Sequence, residues 1–135
     1  MDLLSDQANF SAKVSSVLNK NVKEFGKKFL FDGREDTCWN SDQGTPQFIS
    51  ISFAQPQKLS SLQIQFQGGF VGKSCQVLAP GTQPEKLIDI YPEDSNKLQT
   101  FALDFETPID NIKIVFSEST DFFGRITIYQ LKLFS

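Results

Sequence analysis

Residues 29–42 read FLFDGREDTCWNSD, with Asp32-Gly33, Asp36-Thr37 and Asn40-Ser41-Asp42 set around one large aromatic, Trp39. Asp and Asn side chains bond their own backbone two residues on, and glycine accepts conformations that other residues resist, so this is turn chemistry. A turn of this kind wrapped around the only tryptophan is not a generic strand or helix. Far along the chain, residues 119–133 read STDFFGRITIYQLKL, where Asp121, two phenylalanines, Gly124 and Arg125 stand directly before an apolar run. A polar loop there feeds straight into the core. Neither segment carries a catalytic set, and together they point to a binding module.

Between and beyond these segments the dominant period is two. Ile49, Ile51 and Phe53 alternate with serines, Leu62, Ile64 and Phe66 with glutamines, and Ile112, Ile114 and Phe116 with Lys113 and Val115. Such alternation predicts half-buried strands with one wet face. Further strands are predicted over 74–78, 85–91, 98–103 and 126–134, the last with a bulge near Tyr129 and Gln130 where the apolar phase shifts. Val14, Val17 and Leu18 would begin a strand, and residues 21–28 would form one short helix. Many short strands with little helix predict an all-β antiparallel jelly-roll sandwich rather than a parallel α/β sheet. The fourteen phenylalanines fit the inward positions of two facing sheets, most of them as core. No linker or repeat divides the chain, so residues 1–135 are expected as a single domain, with 1–12 as a loosely ordered extension.

The net charge of −3, with both signs mixed along the chain, gives no electrostatic footprint for duplex DNA or an anionic membrane surface. Direct nucleic-acid binding and membrane binding are therefore not expected. The opening Met1-Asp2-Leu3-Leu4-Ser5-Asp6 lacks the basic region and apolar core of a signal peptide, and no stretch approaches the length of a membrane span. The expectation is a soluble intracellular protein, a monomer. The chain has no histidine, which removes Ser-His-Asp and Cys-His nucleophiles and every zinc site that needs imidazole. Cys38 and Cys75 allow one disulfide by count, but free buried thiols suit the expected compartment better. None of the sixteen acidic residues lies in a setting that would obviously raise its pKa. No catalytic residue is predicted, and the chain is expected not to be an enzyme.

Leu30-Phe31-Asp32-Gly33 followed by Thr37-Cys38-Trp39-Asn40-Ser41 resembles the discoidin domain, also called the coagulation factor V/VIII type C domain. That family is an eight-stranded antiparallel jelly-roll sandwich of galactose-binding-like fold. Residues 39–44 (WNSDQG), 62–70 (LQIQFQGGF), 91–94 with 98–101, and 119–126 are similar to a small intracellular discoidin-like family, the testicular orphan nuclear receptor-associated proteins. The match spans about residues 13–134. The resemblance implies a nuclear protein, present also in the cytoplasm, that represses receptor-driven transcription by reducing receptor binding to its DNA response element. Secreted discoidin domains commonly close their termini with a disulfide, and here neither cysteine is near an end. Two other functions stay open: a lectin-like domain binding carbohydrate or a small ligand, and a structural subunit of a larger intracellular complex.

The same resemblance suggests candidate sites. Asp32, Thr37 and the carbonyls between them are similar to the oxygen-rich loop that holds calcium in many galactose-binding-like domains, with Gln130 where the family usually places a glutamate. A neutral ligand there implies weak calcium at most; no cofactor is required. The alternative is that Asp32 caps its own turn. Trp39 offers either a sugar-stacking face or a core anchor, and its place in the motif implies the anchor. Asp121, Phe122 and Arg125 are expected to shape the loop before the final strand. Gly68-Gly69-Phe70-Val71-Gly72-Lys73 resembles a projecting hairpin, so Phe70, Val71 and Lys73, with Gln43 of the Trp39 loop, are the expected protein-contact residues.

Overall fold

The computed structural model describes residues 1–82 and 86–135. Among these, alternation of buried and open positions becomes nine strands: β1 (Phe10–Val14), β2 (Trp39–Asn40), β3 (Gln47–Gln57), β4 (Ser61–Phe66), β5 (Gly72–Leu78), β6 (Leu87–Ile90), β7 (Leu98–Ala102), β8 (Ile109–Ser119) and β9 (Thr127–Phe134). The family count of eight is exceeded by one. Residue 85, the predicted start of the sixth strand, lies outside the described residues. β1-β3-β8-β5-β6 form one sheet and β2-β9-β4-β7 the other, every pairing antiparallel.

The period-two reading places the core correctly. Ile49, Ile51, Phe53, Ile112, Ile114 and Phe116 of one sheet face Leu62, Ile64, Phe66, Leu131 and Leu133 of the other, all buried. Trp39 is fully buried beside Phe116, ring centroids 6.3 Å apart, and Phe66 meets Phe116 edge to face at 6.0 Å. The expected bulge is present: Gln65 pairs with Gln130 and Phe66 with Ile128, leaving Tyr129 unpaired between them. This restores Leu131 and Leu133 to the inner face.

Four expectations are corrected. Residues 1–12 pack rather than trail: Leu4 is buried, Asp2 bridges to Phe134, and Phe10 opens β1. Val17 and Leu18 do not begin a strand, because Asn19 and Lys20 take φ of 53° and 56° and reverse the chain. The helix predicted over 21–28 is a single turn, Val22–Phe25, which Asn21 caps by accepting from the Glu24 N–H; a 3-10 turn, Lys27–Leu30, follows Gly26. Of the phenylalanines only Phe53, Phe66, Phe105 and Phe116 are buried, while Phe10, Phe31 and Phe101 pack at the core's margin.

Candidate functional site

Three loops meet where β3 begins and β9 begins: residues 41–46, 67–71 and 119–125. Their positions follow from buried polar groups that sequence reading passed over. Gln47 is only 5% exposed; its Oε1 accepts from the hydroxyls of Ser15 and Ser16, and its Nε2 donates to the carbonyls of Asp42 (3.2 Å) and Gly44 (2.7 Å). Ser41, fully buried, accepts from the Ile126 N–H at 2.8 Å, and the Ser41 N–H donates to the Ile126 carbonyl at 2.8 Å. Buried polar groups hold such geometry because leaving any of them unpaired costs about 1–3 kcal/mol. The sequence signal was available: a glutamine at an inward strand position breaks the apolar phase of β3.

The 119–125 loop is braced from within. Arg125 donates through Nε to Asp121 Oδ2 at 2.9 Å and through Nη2 to Oδ1 at 3.3 Å, and its own N–H donates to Oδ2 at 3.0 Å. That guanidinium holds the Asp121 carboxyl below its ordinary range, and the carboxylate in turn raises Arg125. The expected bracing by Asp121 and Arg125 is what the geometry has. Arg125 also lies over the rings of Phe70, at 5.0 Å, and Phe123, at 5.7 Å. Gly124, at φ 80°, presses on the backbone of Gly44: a Cβ there would stand 2.9 Å from the Gly44 carbonyl carbon, and the Gly44 N–H donates to the Phe123 carbonyl at 2.8 Å.

The loops therefore display different residues from those expected. Val71 is fully buried, its N–H donating to Thr120 Oγ1 at 3.0 Å, so it cannot be a contact residue. Phe70 is half-buried beneath Arg125, because its turn is drawn inward: Gly68 and Gly69 donate to Asn96 Oδ1 and Asp94 Oδ1, each at 2.7 Å. Lys73 is exposed and pairs loosely with Glu118 at 3.5 Å. Gln43 is exposed on the 41–46 loop. Phe122, expected to shape the loop, stands 95% exposed at its tip with Phe123, 55% exposed, packed edge to face against it at 5.3 Å. An Asp-Phe-Phe-Gly run closed by an Asp–Arg pair could have signalled this, since a braced turn with no apolar neighbour has nowhere to bury its tip.

Trp39 is the anchor, its Nε1 donating to the Ser16 carbonyl at 2.9 Å, and offers no face to a sugar. Around the third candidate, Asp32 Oδ1 accepts from the Arg34 N–H at 3.0 Å and Oδ2 from the Thr37 hydroxyl at 2.6 Å. Gln130 lines the same hollow as Asp32, but so does Lys132, and the Gln130 amide donates to Gln65 Oε1 at 2.6 Å. Calcium needs six to eight oxygens turned toward one point. Here both Asp32 oxygens already receive a donor, Asp2 Oδ1 in the same hollow accepts from the Leu4 and Leu133 N–H groups, and Gln130 is turned to Gln65, so these residues fit a capped turn better than a calcium shell. Cys38 and Cys75 are both free, Cys75 buried and Cys38 half-buried.

No family model matches the chain. Nuclear receptor 2C2-associated protein of Danio rerio is 51% identical over 125 residues, covering 90% of this chain and 88% of its own length. The Homo sapiens protein of the same name is 51% identical over 124 residues, with the same coverage. Among solved structures, CpGH89CBM32-5 from Clostridium perfringens, in complex with GalNAc-beta-1,3-galactose, superposes with a TM-score of 0.80 at 20% identity over 100% of both chains. An F5/8 type C domain from Bacteroides fragilis gives 0.76 at 15% identity, covering 95% of this chain and 92% of its own. Likeness at these identities establishes the fold, a galactose-binding-like discoidin sandwich. With about half of its residues shared with those relatives across 90% of its length, the chain belongs to the family of nuclear receptor 2C2-associated proteins.

Proposed function

We propose that the chain is a non-catalytic protein-interaction module that engages a nuclear receptor through the Phe122–Phe123 tip and represses it by lowering its hold on its DNA response element. The observation that supports this reading is the exposed aromatic pair on a loop fixed by the Asp121–Arg125 pair and by Gly44. Rigid loops that display aromatics lose little conformational freedom on binding, and burying one such ring in a partner's pocket contributes about 1.5–3 kcal/mol. Gln43, exposed on the 41–46 loop, belongs to the same surface, while Phe70 supports it from beneath Arg125. The module acts in the nucleus as a monomer, needs no cofactor, and touches receptor rather than DNA or membrane.

The sugar-binding reading, which the carbohydrate-binding neighbours in fold favour, would need a platform other than the buried Trp39. A permanent structural subunit would copurify at fixed stoichiometry, whereas this reading expects a dissociable complex. The test is a Phe122→Ser/Phe123→Ser double variant, with thermal melting, capture of a nuclear receptor of the 2C2 type, and a receptor–DNA gel shift. The variant should melt as the wild type does and lose roughly tenfold or more in receptor affinity. Wild-type protein should deplete the receptor–DNA band and the variant should not. Equal capture by the variant overturns the surface, and capture without loss of DNA binding overturns the repression mechanism.

A further inference from the structure

Both signs are mixed over most of the chain, and residues 13–28 are the exception. Residues 13–28 hold five lysines and one glutamate, a balance of +4 in a chain whose total is −3, so the remainder carries −7. The ion pairs among the described residues are Arg34–Asp36, Lys73–Glu118, Lys86–Asp104 and Arg125–Asp121. None of the five lysines takes part. Lys27 Nζ instead donates to the Ala12 carbonyl on β1 at 2.6 Å, and Lys28 lies over the Phe29 ring at 5.0 Å. β1 is an edge strand of its sheet, so Lys27 blunts an open edge while its charge stays uncompensated.

Both lysines line a cavity of about 240 Å³, together with the apolar Phe10, Ala12 and Phe31 and the polar Gln7 and Ser11. Phe10 and Phe31 meet edge to face at 4.9 Å, which fixes that apolar lining. Phe10 pairs with Phe53, well along β3 from Gln47 and the loops described above. A hollow lined by apolar side chains and by two lysines that form no ion pair among the described residues suits a ligand with one apolar side chain flanked by carboxylates. A nucleobase needs an open ring face on which to stack, whereas Phe10 and Phe31 are half-buried and packed edge to face against each other. A membrane calls for protruding apolar groups, and these are sunk.

We propose that the notch between β1 and the Lys27–Leu30 turn is a docking site for an acidic peptide segment bearing one apolar side chain, separate from the Phe122–Phe123 surface and standing without it. The test is fluorescence anisotropy with a labelled decapeptide of aspartates and glutamates around a central leucine. Controls carry alanine in place of leucine, or amides in place of the acids. Saturable binding is expected, weakened about tenfold by Lys27→Glu/Lys28→Glu and severalfold by the alanine peptide, and unchanged by Phe122→Ser/Phe123→Ser. Lys28→Glu alone, whose side chain holds no backbone atom, gives a partial loss if the double variant melts early. The proposal is overturned by no saturation up to about 1 mM peptide or by equal affinity for leucine and alanine peptides. Tighter binding of single-stranded DNA or of phosphatidylserine vesicles overturns it too. Salt-sensitive dimerisation abolished by the charge reversal would identify a second copy of this chain as the occupant and likewise overturn it.

Discussion

Phe70 and Phe122 exchange the roles that their sequence neighbourhoods imply, and the reason is local. Phe70 sits in a glycine-rich turn that looks free, yet Asp94 and Asn96 bind the amides of that turn and Arg125 lies over the ring. Phe122 sits beside a structural ion pair, which holds the backbone of its loop and leaves the ring in water. Asp121 gives this residue-scale account a pH test. Arg125 holds its carboxyl below the ordinary 3.8, so its contribution is present above that value and lost as pH falls through the lower folded-state value. Asp121→Asn should therefore melt below wild type at neutral pH, with the gap closing as the solution is acidified below about pH 3.8. An equal gap at both ends of that titration would show that the loop does not depend on the charge. Trp39→Ala removes a fully buried indole and its bond to Ser16, and should cost about 3–5 kcal/mol, read by denaturant unfolding.

At the scale of elements, the strands were legible and the loop contacts were not. Ile49, Ile51 and Phe53, or Leu62, Ile64 and Phe66, declare their inner face by alternation, because a one-residue slip would carry the whole set into water. The bulge at Tyr129 was legible for the same reason, as a break in that phase. The short helix was overread: Asn21 does cap a turn, but Gly26 ends it, and the following lysines belong to a separate turn. Nothing in either loop sequence states that Gly44 and Gly124 touch, since that contact joins segments eighty residues apart. It yields a direct test. Gly124→Ala imposes a side chain at φ 80° and drives a Cβ into Gly44, a cost of roughly 1–3 kcal/mol from strain and displacement together. Thermal melting should show the loss, and receptor capture should fall with it, because the tip moves when its loop is pushed from Gly44. A variant that melts and binds like wild type would mean the two loops are not locked.

The whole molecule sets what is reachable from solvent. Cys75 lies on β5, an interior strand between β8 and β6, and burial pushes its thiol up to about 12; Cys38 is raised as well, but is half-buried next to the edge strand β2. Because only the thiolate attacks, iodoacetamide at neutral pH should modify Cys38 first, and Cys75 at a rate that follows global unfolding across a denaturant series. Rapid alkylation of both would show that β5 separates from its neighbours locally. The architecture, the lack of imidazole chemistry and the loop shaped by Asp121 and Arg125 were legible in the chain, since each rests on local pattern, composition or a partner four residues away, while the tryptophan anchor was legible only through the resemblance of its motif. The closed fold alone fixes that Val71 is sealed in the core, that Gly44 and Gly124 touch, and that Lys27 and Lys28, free of ion pairs among the described residues, line an apolar hollow; for Phe122 and Gln47 the chain holds a hint, the braced turn and the broken phase, and the fold fixes what each one reaches. These depend on which distant segments meet when the two sheets close, and exposure is a property of that closure rather than of any residue's neighbours along the chain.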